Sequence, residues 1–77
     1  MKIQLQLYSI LREALPSESK GCAVLELEEG ATLADVLKQL GIKRRVVISV
    51  NSVLERDHFR QLRDGDEVKI FSSVSGG

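Results

Sequence analysis

The chain has one cysteine, one proline and no tryptophan, and it carries no excess of either charge. A lone cysteine, Cys22, closes no internal disulfide, which excludes a disulfide-stapled secreted scaffold. Eleven basic residues balance eleven acidic ones, so nothing draws the chain to nucleic-acid phosphates or to an anionic membrane surface. Long hydrophobic runs are missing as well. The opening MKIQLQLYS alternates polar and apolar residues where a signal peptide needs an unbroken apolar core. No stretch reaches the roughly 20 apolar residues of a membrane-spanning helix. Neither nucleic acid nor membrane is an expected partner, and the cytoplasm is the expected location.

What remains is a sequence able to fold. Hydrophobic residues make up 43% of the chain and charged ones 29%, too apolar a balance for disorder. At 77 residues the expectation is a single domain, residues 1–77, with a modest core. Residues 72–77, SSVSGG, are expected to form a flexible functional tail beyond it.

Two periodicities divide the chain. KIQLQLY, residues 2–8, alternates strictly, which predicts a strand with Ile3, Leu5 and Leu7 on a buried face. Ser9 offers an N-cap oxygen to a short helical turn, ILREAL, stopped by Pro16, and PSESKG reads as loop. CAVLELE, residues 22–28, alternates again and groups Ala23, Leu25 and Leu27. In TLADVLKQLG the apolar residues Leu33, Val36, Leu37 and Leu40 recur at the spacing of one helix face. Thr32 and Asp35 suit a capping box, and Gly41 with Ile42 suits the closing cap.

RRVVISV predicts another strand, with Val46, Ile48 and Val50 in phase. Asn51-Ser52 is a tight-turn candidate, and Val53-Leu54 begins a short return. In the irregular residues 55–63, Phe59 and Leu62 are the expected anchors into the core. Asp64-Gly65-Asp66 turns the chain into a last strand, EVKIF, with Val68 and Ile70 in phase. One amphipathic helix covering one face of a mixed sheet makes a two-layer α+β domain.

The last third carries a more specific pattern. Val50-Asn51-Ser52-Val53-Leu54, followed by LRDGDEVKIFSSVSGG, resembles the sulfur-carrier branch of the ubiquitin-like proteins. A DGDEV turn alone suits many hairpins; that turn, one strand and then a glycine pair is far more particular. The resemblance implies the β-grasp fold: a mixed sheet of four to five strands, one main helix across it, and a short extra helix after the first strand. The inserted stretch YSILREALP is similar to the small subunit of molybdopterin synthase more than to the carriers of thiazole biosynthesis. Other sulfur destinations, conjugation of Gly77 to lysines as a protein modifier, and a plain interaction domain all stay open.

The resemblance also implies a chemistry for the tail. A ubiquitin-activating-type adenylating enzyme, consuming ATP, would turn the Gly77 carboxylate into an acyl-adenylate. A sulfur donor such as a cysteine desulfurase would then displace AMP and leave a thiocarboxylate, a soft nucleophile. In the molybdopterin case the large synthase subunit would receive that sulfur. Gly76, lacking Cβ, lets the backbone enter a narrow channel, with Val74 and Ser75 as the lead-in that partners grip. The chain would bind no cofactor or metal and would catalyse nothing alone.

Side chains phased away from the helix, Tyr8, Val24, Val47 and Phe71, are the expected docking surface, with Phe71 foremost and Arg44, Arg45 and Lys69 at its rim. Cys22 is expected as a small buried hydrophobe and His58 as a surface histidine. The acidic pairs Glu28-Glu29 and Asp64/Asp66 are expected in solvent.

Overall fold

The computed structural model describes residues 1–43 and 45–72. In chain order these form strand β1 (Lys2–Leu7), a 3-10 helix (Ser9–Ala14), a short 3-10 turn (Ser17–Ser19), β2 (Cys22–Glu26), helix α1 (Leu33–Leu40), β3 (Val46–Val50), β4 (Val53–Glu55) and β5 (Glu67–Ser72). The strands make one sheet in the order β2-β1-β5-β3-β4. β1 and β5 run parallel at its centre, and every other neighbouring pair is antiparallel. With α1 laid across one face, this is the ubiquitin-like β-grasp.

The alternation seen in the sequence places the core. Ile3, Leu5 and Leu7 of β1, Ile48 and Val50 of β3, and Val68 and Ile70 of β5 are buried against Leu33 and Val36 of α1. Burying each such side chain contributes roughly 1.5–3 kcal/mol relative to exposure. Leu37, Leu40, Ile42 and Val46 pack around the edge of this cluster.

Both ends of α1 are closed locally. The backbone N–H of Asp35 donates to Thr32 Oγ1 at 3.3 Å, and that of Thr32 donates back to Asp35 Oδ2 at 2.9 Å, completing the capping box. At the far end Gly41 sits at φ +72°, a conformation that favours glycine. Ile42 N–H then donates to Leu37 O at 3.0 Å and Gly41 N–H to Lys38 O at 3.1 Å, the Schellman pattern. The β3–β4 turn is of type I′, with Asn51 and Ser52 both at positive φ.

Three sequence expectations change. Ser9 makes no cap: it is the first residue of the 3-10 helix, at φ +53°, and Tyr8 occupies the cap position without a side-chain bond. The element anchors itself instead through buried Leu11. The stretch after Pro16 is not wholly loop, since Ser17–Ser19 forms a 3-10 turn. Phe59 is not a core anchor but is 78% exposed. Leu62 fills the core alone because its N–H bonds Ala31 O at 2.8 Å and Gln61 bridges Thr32, drawing residues 61–62 against the start of α1. Phe59 lies one turn earlier, its N–H held by Asp57 Oδ1 at 2.9 Å.

Candidate functional site

The uncovered face of the sheet collects the candidate binding residues. Phe71 on β5 pairs directly with Val47 on β3. The Tyr8 ring, just beyond β1, stacks on Phe71 with centroids 4.4 Å apart and planes within 9°. Tyr8 N–H donates to Ile70 O at 3.2 Å, which extends the β1–β5 ladder and fixes the ring's position. Tyr8, Phe71 and Val47 thus form one apolar patch where β5 finishes. The stacked pair is worth about 0.5–1.5 kcal/mol beyond its buried area.

Val24 does not join this patch. It pairs with Gln4 on the far side of β1, and glutamines separate it from the aromatic rings. Lys69 is not a free rim cation, because its Nζ lies 3.6 Å from Glu67 Oε1. Arg45 is exposed and directly precedes Val46, the partner of Ser72. Ser72 therefore closes β5 and is not the first residue of a tail. Arg44, Val74, Ser75, Gly76 and Gly77 lie outside the described residues.

Tyr8 of the patch, with Gln4, Gln6, Cys22, Val24 and Lys69, lines a shallow hollow of about 530 Å³ that continues from the patch toward β2. Cys22 is exposed there, not buried, and its thiol donates to Gln6 Oε1 at 2.6 Å. The reason is its phase: Cys22 alternates with Val24 and Glu26 and is out of step with Ala23, Leu25 and Leu27. His58 is half-buried, its carbonyl accepting from Ala34 N–H at 2.8 Å. Among the described residues no group of histidine, cysteine and acidic side chains is placed to hold a metal.

The DGDEV turn departs most from its sequence reading. Asp66 is 8% exposed, not solvated. Its Oδ1 accepts from Asn51 Nδ2 at 3.0 Å and its Oδ2 from Arg63 N–H at 2.8 Å. Asn51 Oδ1 in turn accepts from Glu67 N–H at 2.9 Å. Asp64 does face solvent, yet its Oδ1 accepts from Lys2 N–H at 2.7 Å, while Gly65 N–H donates to Lys2 O at 2.7 Å. These bonds clasp the β3–β4 turn, the entry to β5 and the start of β1. In the sequence Asn51 stands out as a turn and motif residue but not as a member of this clasp, because its partners lie 15 and 16 positions away.

Residues 5–77 match the family model described as the ThiS family. The chain belongs to the ThiS family. The match takes in the Asn51, Arg63 and Asp66 part of the clasp, the aromatic patch and both final glycines. No curated protein sequence matches this ThiS-family chain. Solved structures do. The small archaeal modifier protein 1 of Haloferax volcanii is 17% identical, over 95% of this chain and 98% of that one, with a TM-score of 0.74. A putative molybdopterin converting factor subunit 1 from Pyrococcus furiosus is 23% identical, over 96% and 99%, at 0.75. A complex of subunits 1 and 2 of the molybdopterin-converting factor of Helicobacter pylori contains a chain 18% identical, over 100% of both, at 0.67. At these identities the likeness is one of fold. No helix among the described residues is long and apolar enough to cross a membrane.

Proposed function

We propose that this ThiS-family chain is a sulfur carrier whose Gly77 carboxyl is adenylated and then converted to a thiocarboxylate. The observation that supports this most is the family match, which spans residues 5–77 and so includes Gly76 and Gly77. A free carboxylate is a poor electrophile; joining it to AMP supplies a leaving group that a sulfur donor displaces. ATP is consumed by the adenylating partner, and the carrier itself needs no bound cofactor. Gly76 gives the backbone access to the partner's channel, with Val74 and Ser75 as lead-in. Phe71, Tyr8 and Val47 form the apolar face that docks, with Arg45 beside it for acidic groups of the partner; Arg44 is proposed for the same role from the sequence alone.

The destination proposed for the sulfur is molybdopterin, with the chain as the small subunit of its synthase in the cytoplasm. The 3-10 insertion Ser9–Ala14 between β1 and β2 supports this choice, as does the shared fold with a converting-factor subunit that forms a complex with a second subunit. A second reading, attachment of Gly77 to protein lysines, takes support from the likeness to a protein named as an archaeal modifier.

The test is the intact mass of the full chain after incubation with ATP, an adenylating enzyme and a sulfur donor. The expected result is a gain equal to replacing one oxygen by sulfur, mapped to Gly77 and lost on deleting Gly76-Gly77. An unchanged mass, alongside a carrier that is activated under the same conditions, overturns the carrier reading. Branched peptides joining Gly77 to lysine would point to the modifier.

A further inference from the structure

β2 lies at the edge of the sheet, and its backbone shows which of its groups are spent. Leu7 N–H donates to Gly21 O and Leu27 N–H to Met1 O, so these are bonded pairs of the antiparallel β1–β2 ladder. Bonded and non-bonded pairs alternate along such a ladder. In the register observed, Leu5↔Ala23 and Ile3↔Leu25 are therefore the other bonded pairs. Cys22, Val24 and Glu26 turn their N–H and C=O groups outward, away from β1. Among the described residues no strand pairs with that side.

The two edges of the sheet differ. β4 also exposes apolar side chains, Val53 at 66% and Leu54 at 65%, but it has only three residues, and Glu55 at its end is paired with Arg60 at 3.4 Å. β2 has five residues, and its centre is Val24, 64% exposed and β-branched. Its one charged residue, Glu26, stands at the end, where its Oε1 lies 3.9 Å from Lys2 Nζ. Edges of this kind pair with another strand unless charge, proline or a bulge prevents it.

We propose that β2 pairs antiparallel with β2 of a second copy, centred on Val24 facing Val24 of the other chain. The strand is self-complementary in this register. Each of the three outward residues finds both its N–H and its C=O partner, which no other two-fold register allows along the whole strand. Glu26 meets Cys22 of the second copy rather than its own counterpart, so like charges do not oppose. Just beyond the strand ends, exposed Lys20 of one copy lies on the same side of the pairing as exposed Glu28 of the other, and the two-fold repeats this match. The two uncovered faces then form one continuous surface. Phe71 stays clear, because β1 lies between its strand, β5, and the edge. Pairing through one short strand buries less than the roughly 1,200 Å² of a stable interface, so the dimer is weak and exchanging.

Sedimentation of the full chain over a concentration series reads this directly, with amide hydrogen exchange on the same samples. The expected result is an average mass rising from monomer towards dimer, with slowed exchange at the Cys22, Val24 and Glu26 amides. Val24→Lys, on an exposed site that leaves the core intact, is expected to keep its thermal melt and lose the dimer. Lys20→Glu is expected to weaken the dimer several-fold, and adding Glu28→Lys to restore it. A mass that stays monomeric at millimolar concentration overturns the proposal, and so does a dimer that survives Val24→Lys. Failure of the charge swap to restore dimerisation overturns the register.

Discussion

The two faces of the sheet are made by the same strands and the same alternation, yet they hold different information. The face under α1 is aliphatic and closed to solvent, from Ile3 across Ile70 to Ile48. The other face mixes glutamines, a Lys69–Glu67 ion pair and a stacked Tyr8–Phe71 pair, with Val47 and Leu54 left open to solvent. The fold is stored in one set of residues, and the proposed recognition in the set interleaved with it. Neighbours in sequence, such as Ile70 and Phe71, therefore answer to different demands.

Substitutions on the two faces should separate these roles. The largest expected loss of stability comes from Leu7→Ala on the inner face. It removes a fully buried side chain from the central strand, at a cost of roughly 2–5 kcal/mol. A urea titration would show the midpoint collapsing; in a domain this small, much of the population would unfold. A midpoint near that of the parent would mean that the inner face does not carry the fold. Next comes Asp66→Ala, which leaves Asn51 Nδ2 and Arg63 N–H without their acceptor. About 1–3 kcal/mol is expected for such unsatisfied groups, seen as a lowered melting temperature, whereas Asp64→Ala should cost less because Asp64 is exposed. Equal losses for the two would show that burial of the clasp is not what matters. The smallest structural effect belongs to Phe71→Ala, about 1 kcal/mol for the lost stack. Its binding to the proposed adenylating partner should nevertheless weaken at least about ten-fold, as at an interface hot spot. Calorimetric titration reads that difference, and unchanged affinity would remove the outer face from the proposed docking surface.

Much of this division was legible beforehand, because hydrophobic alternation reports strand phase and the i, i+3, i+4, i+7 spacing reports a helix face. The caps of α1 were legible for a related reason: a capping box and a Schellman end use residues within one turn of each other. Phe59 and Leu62 could not be told apart, since in an irregular segment the choice of anchor depends on contacts with Ala31 and Thr32, about thirty positions away. Asp66 was misread for the same reason. An aspartate beside a turn glycine looks solvated until a distant asparagine is found to donate to it. Cys22 is different, because its phase against Ala23 and Leu25 was present in the sequence and was outweighed by the residue's usual preference for burial. The proposed tail residues Val74 to Gly77 were legible only through motif, which locates chemistry without shape.

The parallel pairing of β1 with β5, Gln4 beside Glu67 through Leu7 beside Ile70, has a mechanical consequence. The strands point the same way, so the start of β1 and the end of β5 lie at opposite ends of one ladder. A pull on the segment after Ser72, resisted at Met1, loads that ladder along its length. Its hydrogen bonds then share the tension together instead of parting one by one, as they would if the strands were peeled apart. If the chain is handled by its tail, as proposed, it is anchored by a seam arranged to withstand the pull.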